Sequence, residues 1–149
     1  MARDPGARAR RLARELLVKA LYQWQIADHG VAEITAQFRA LADFDRCDQE
    51  YFSQLLSLVV EQAAALDEFI ARYAMRSVEQ LDAIGRAVLL LGLAELKFRS
   101  DVPPKVVINE AVELAKRYGA TDSFRFVNAV LDKSARELAS AASASGASA

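Results

Sequence analysis

Most residue types that could do chemistry are scarce in this 149-residue chain, and that scarcity is informative. A single cysteine, Cys47, excludes a disulfide framework and a thiolate metal cluster. A single histidine, His29, excludes most zinc sites and nucleophile–base pairs, which need at least one well-placed imidazole. Cys47 lies in an acidic stretch, which raises a thiol pKa and argues against a reactive thiolate. His29 follows an expected helix end and is expected to face solvent. Glu110 and Glu113 stand one helical turn apart, but Glu113 has Arg117 at i+4, the spacing of a surface ion pair. No GxGxxG or Walker pattern occurs. No catalytic residue, metal site or cofactor is expected.

Charge is more telling. The 19 basic and 20 acidic residues nearly cancel, yet they are unevenly placed. Residues 1–27 hold six basic residues against Asp4 and Glu15, a net of +4, whereas residues 28–68 hold nine acids against Arg39 and Arg46, a net of −7. Arginines at a helix N-terminus run against the macrodipole, which favours acids there by about 0.3–1 kcal/mol each. Their planar forks match phosphate oxygens. Arg8, Arg10, Arg11 and Arg14 are therefore candidate ligands for a nucleic-acid backbone, although a solvated face that is merely basic fits the charge pattern equally well. Aromatic residues lie nearby: Tyr22 on the same expected helix, and Phe126 beside Arg125 off the inward line of the last one. Single-stranded RNA is gripped by stacking bases on such rings while basic groups follow the phosphates. Tyr22 also suits a core position, and Phe126 suits either role.

The elements that must position these residues all read as helices. Hydrophobic residues make up 53% of the chain, glycine (6) and proline (3) are rare, and neither occurs between Gly30 and Gly85, which rules out a β-rich architecture. Residues 1–7 read as a loose arm and 139–149 as a solvated, disordered Ala/Ser tail. A first helix is expected over about residues 8–27, ended by His29 and Gly30, and a second over 31–42. An acidic loop, 43–50, follows, with Asp48 suited to an N-cap. Residues 49–75 form one long helix or two collinear ones. Ser77 and Gln80 make a capping box for a helix over 78–98 that is apolar nearly all round. Pro103 and Pro104 open the next helix, for which Gly119 suits a left-handed cap, and the last helix begins near Thr121 or Asp122. The expectation is an all-α domain of six or seven helices over 8–138. The longest apolar run, 87–94, is less than half a membrane span, and no apolar stretch follows the N-terminal arginines as in a secretory signal, so a cytoplasmic protein is expected.

Three stretches carry a family resemblance. PPKVVINEAVELAK (103–116), followed by Tyr118, Gly119 and FVNAVLDK (126–133), resembles the C-terminal signature of the NusB family of transcription antitermination factors. ARRLARE (9–15) through ALYQWQ (20–25) resembles the family's first helix, and LDAI (81–84) with RAVL (86–89) its central helix. The resemblance implies two packed helical sub-bundles. It also implies binding of single-stranded boxA RNA of ribosomal RNA transcripts, jointly with the ribosomal protein NusE, in an antitermination complex with RNA polymerase. Carried over by position, the RNA-binding residues are Arg10, Arg11, Arg14, Tyr22, Asp122, Arg125 and Phe126. Gly85 stands where the family usually has glutamate, in a region that commonly faces NusE, so Glu79 and Asp82 are the expected partner-binding residues instead. Ala94, Leu12 and Ala129 also depart from the usual pattern. Two other readings are a protein-binding helical scaffold without an RNA role and a stand-alone relative of the NusB-like domain of ribosomal RNA cytosine methyltransferases. The first leaves the misplaced arginines unexplained, and the second lacks a methyl-donor domain after residue 138.

Overall fold

The computed structural model describes the backbone of residues 5–74 and 81–147, and the side chains of 6–74 and 81–143. Six α-helices account for most of it: α1 (Pro5–Ala27), α2 (Val31–Arg39), α3 (Gln49–Ala74), α4 (Ala83–Phe98), α5 (Pro104–Tyr118) and α6 (Ser123–Ala147), with a short 3-10 turn over Ala42–Arg46. No strand occurs among the described residues.

The helices form two sub-bundles, α1–α3 and α4–α6, joined through α4, which packs on α1, α3, α5 and α6. That position explains why α4 is apolar around its circumference: every residue from Ala87 to Glu95 is buried. The first sub-bundle fills its centre with Leu17, Leu21, Ile34, Phe38 and Phe52, all under one-tenth exposed. Phe44 meets Phe52 edge-on at 5.2 Å between ring centres, a favoured aromatic geometry. In the second sub-bundle Val107, Ala111 and Leu114 of α5 face Val127, Val130 and Leu131 of α6. Gly92 lets α4 and α6 approach closely, since a Cβ there would lie 2.9 Å from Leu131 Cδ1.

Several boundaries differ from the sequence expectation. Helix α1 begins at Pro5, within the stretch read as a loose arm, because proline is tolerated at a first helical position, where the N–H would have no partner. It ends through Asp28, which adopts the left-handed conformation (φ 52°), while Gly30 is extended and caps α2. Helix α2 stops at Arg39, and the 3-10 turn absorbs part of the expected acidic loop. Asp48 does cap α3, accepting from the Tyr51 N–H at 3.0 Å. Residues 49–74 are one continuous helix. The Ser77–Gln80 capping box lies outside the described residues, and α4 spans Ala83–Phe98. Leu81 and Asp82 are non-helical, and Asp82 caps the helix by accepting from Gly85 N–H at 3.0 Å. Gly119 is extended (φ −88°), not left-handed. Crowding demands glycine there instead, since a Cβ would sit 2.8 Å from the Ala115 carbonyl oxygen and 2.5 Å from Ser123 Oγ. The segment read as a tail is helical to Ala147, as suits the best helix former, and its side chains are exposed from Ala139 to Ser143.

Candidate nucleic-acid interface

Helix α1 has two faces at helical spacing. Ala13, Leu17, Ala20 and Leu21 point into the core, whereas Arg8, Arg11, Lys19 and Tyr22 are exposed along one outer stripe, with the half-buried Glu15 in its middle. Tyr22 is 38% exposed, so the core position open to it from sequence is not the one it takes. Lys19 belongs to the same stripe and is not among the residues expected from sequence; its place four residues after Glu15 and three before Tyr22 is the available signal.

Arg14 corrects the sequence reading. It is 4% exposed and its fork is spent inside the protein: Nε lies 3.2 and 3.0 Å from the two Glu95 carboxylate oxygens, and Nη2 lies 2.9 Å from Oε2. The Tyr51 hydroxyl donates to the same carboxylate. Burial opposes the Arg14 charge, but the pull of Glu95 and its hydrogen bonds outweigh it and raise the guanidinium pKa. Burial, then the Glu95 charge, pushes the Tyr51 phenol well above its ordinary value. Arg14 bolts α1 to α4 and meets the surface only at the floor of a groove beside Arg10 and Arg11.

The other N-terminal arginines also have acidic partners. Arg10 lies 3.6 Å from Asp101 and 3.8 Å from Asp48, with its guanidinium 4.3 Å above the Tyr51 ring. Arg11, 63% exposed, donates from Nε to Glu110 at 3.0 Å. These residues line a groove of about 490 Å³ between the start of α1, the α4–α5 loop and α5, with Val102, Pro103 and Val106 as apolar wall. A scaffold without an RNA role therefore does not leave these arginines unexplained, because long-range contacts already offset the unfavourable helix-end charge.

The start of α6 is the second part of the site. Asp122 adopts a left-handed backbone (φ 66°) immediately before the helix, and Arg125, 77% exposed, lies 3.8 Å from it. Phe124 and Phe126 are both half-buried against the core, so neither is a purely outward ring. The C-terminal turn of α5 bridges α6 to α1: Tyr118 and Arg117 both donate to Glu15, the Lys19 ammonium sits 5.5 Å over the Tyr118 ring, and the Lys116 ammonium 5.1 Å over Phe124. Arg117 thus pairs with Glu15 and not with Glu113, whose partner is Lys116 at 3.6 Å.

Elsewhere, Asp82 is exposed at the start of α4, and Glu79 lies outside the described residues. His29 is half-buried between Gln23 and Glu33, less open than expected. Cys47 is buried, which with the nearby Asp48 raises its thiol pKa. No group of side chains suited to hold a metal occurs among the described residues. No helix among them is long and apolar enough to cross a membrane.

Fold and surface together define an all-helical, two-part bundle with exposed cations along α1 and at the start of α6 and an exposed aromatic ring at Tyr22. The NusB family model matches residues 11–136, and the chain belongs to the NusB family. It is 54% identical over 130 residues to the transcription antitermination protein NusB of Alcanivorax borkumensis, covering 87% of each chain. It is 48% identical over 126 residues to that of Photorhabdus laumondii, covering 85% of this chain and 91% of the relative. Among solved structures, NusB of T. maritima superposes with a TM-score of 0.77 at 32% identity, covering 92% of this chain and 94% of that one. A NusB chain crystallised with the antitermination factor NusE and double-stranded RNA gives 0.75 at 27% identity, covering 87% and 98%. The family is one of transcription antitermination factors, not enzymes.

Proposed function

We propose that this protein is a cytoplasmic transcription antitermination factor that binds single-stranded boxA RNA of ribosomal RNA transcripts together with NusE, as part of an antitermination complex with RNA polymerase. The observation that carries this reading is the match over most of the chain to antitermination proteins, one structural neighbour having been crystallised with NusE and RNA. The geometry supports it locally. Arg8, Arg11, Lys19 and Tyr22 offer a track of cations ending in an aromatic ring, and Arg125 and Phe126 offer a second such pair, joined to the first by the end of α5.

In this reading Arg10, Arg11 and Arg125 contact phosphates, Tyr22 and Phe126 contact bases, and Asp122 accepts hydrogen bonds from a base edge. Arg14 holds α1 in place behind them. NusE docks on the acidic side at the start of α4, where Asp82 is exposed, and the −7 charge of residues 28–68 favours a basic ribosomal protein. With both proteins on one RNA, each raises the apparent affinity of the other. The test is binding of a boxA-containing RNA and a scrambled RNA, each with and without NusE. Tighter binding of boxA with NusE present is expected, and equal affinity for both RNAs in its presence refutes the assignment.

A further inference from the structure

The carboxylates that face the α1 arginines are unevenly placed. Glu110 is 16% exposed, whereas its partner Arg11 is 63% exposed, so the acid is anchored on α5 while the guanidinium reaches into solvent. Glu110 also lies 3.7 Å from Arg14 Nη1, the nitrogen of that fork that does not bond Glu95, but its hydrogen bond, at 3.0 Å, is with Arg11 Nε. Asp101 faces Arg10 at 3.6 Å with the exposures reversed, 55% for the acid and 31% for the arginine, and is itself held by Arg99 at 3.0 Å. Arg99 lowers the Asp101 carboxyl pKa through its hydrogen bond, with Arg10 adding to the effect, so Asp101 stays charged in mildly acidic solution.

We infer that Glu110 and Asp101 are affinity-limiting residues of the RNA surface: they compete with phosphate for Arg11 and Arg10. This rests on the RNA-binding reading above. A phosphate arriving at the open Nη groups of Arg11 either displaces the Nε bond to Glu110 or sits beside a like charge, and both outcomes weaken the contact. The competition acts on the backbone term, which is independent of RNA sequence, so it suppresses indiscriminate polyanion binding. Stable RNA binding then depends on the aromatic contacts and on the partner.

The test compares Glu110→Gln with Glu113→Gln in the full-length protein. Glu113 is three residues away on α5 and pairs with Lys116, so the two variants have the same net charge but differ in what the lost carboxylate faced. Relative to Glu113→Gln, Glu110→Gln is expected to bind boxA and scrambled RNA about three- to tenfold more tightly, as removal of one neighbouring like charge implies. Its salt dependence is expected to steepen by up to about 0.7, one recovered phosphate contact. It is also expected to elute later in salt from immobilised heparin. Equal RNA affinities and heparin elution for the two variants, or weaker binding by Glu110→Gln at an unchanged melting temperature, overturn the inference. If the unmodified protein binds neither RNA, the function proposed above falls, and the heparin comparison still decides whether Glu110 restrains Arg11. Asp101→Asn, in an exposed loop where folding is not at stake, repeats the comparison at Arg10 with the same expected sign.

Discussion

Replacing Arg14 by methionine separates the structural arginine from the surface ones. Both members of the Arg14–Glu95 pair are almost wholly buried, at 4% and 2% exposure, and three N···O distances fall between 2.9 and 3.2 Å. Arg14→Met leaves the Glu95 carboxylate buried with the Tyr51 hydroxyl as its remaining close donor. Breaking such a pair costs about 3–5 kcal/mol. At about 2–4 °C per kcal/mol for a chain of this size, the melting temperature should fall by roughly 6–20 °C. Urea unfolding of the full chain measures the loss directly. Combining Arg14→Met with Glu95→Leu and Tyr51→Phe removes the stranded charge and its donor together, and most of the stability should return, because apolar replacements of a buried pair are commonly neutral or better. A loss below about 1 kcal/mol for Arg14→Met, the level of an exposed ion pair, would refute the argument that this pair is desolvated. Below its melting temperature, Arg14→Met should also keep the salt slope of RNA binding, since the buried Arg14 guanidinium is held by Glu95.

Arg11 differs: Arg11→Ala should flatten the salt slope by about 0.7 and weaken boxA and scrambled RNA alike, with helicity intact by circular dichroism. Tyr22→Ala should weaken RNA binding by about 1–3 kcal/mol with little thermal cost, the range for one base–aromatic stack; Phe126→Ala should also lower the melting temperature, because its ring is half-buried against the core. Asp82→Asn keeps an N-cap while removing the charge and should weaken NusE binding in a titration, whereas Asp82→Ala should in addition cost about 1 kcal/mol of stability. The Tyr51 phenol is held protonated in the fold, so the folded state binds more protons than the unfolded state above about pH 10, the ordinary tyrosine value. Stability should therefore fall as pH rises past that point, and less so in Tyr51→Phe.

The helices were legible in the sequence because their apolar periodicity is strong, and α4 declared itself central by being apolar on all sides. Boundaries were less so, for specific reasons. Turn chemistry pointed to Gly119 at a left-handed position, yet Asp28 and Asp122 hold that conformation, while Gly119 answers crowding from Ala115 and Ser123. Arg14 was read with its basic neighbours because charge patterning carries no depth. The corrective signal was present: Arg14 precedes Leu17 and Val18 by three and four positions, inside the buried arc, and Glu95 closes the run of buried residues in α4. A buried cation and a buried acid on neighbouring helices call for each other. The pairing of Arg10 and Arg11 with Asp101 and Glu110 was not legible, because it spans about ninety residues and depends on how α5 lies against α1.

Helix α1 thus performs two tasks with one type of side chain. Its inward arginine fixes the helix against α4, and its outward cations are then held at set heights along a rigid rod. Glu15, Arg117 and Tyr118 tie the middle of that rod to the end of α5, immediately before Gly119 and Ala120 lead into the turn to α6. The two parts of the candidate RNA surface are therefore linked through packed helices and a short turn, with Gly119 setting how sharply the chain bends between them. A strand of RNA meeting Tyr22 and Phe126 together would find their spacing already established, and the ordering cost that a flexible basic arm incurs on binding would largely have been met during folding. Such preorganisation would let a surface whose charge is partly offset by its own carboxylates hold RNA once a second protein contributes the remaining contacts.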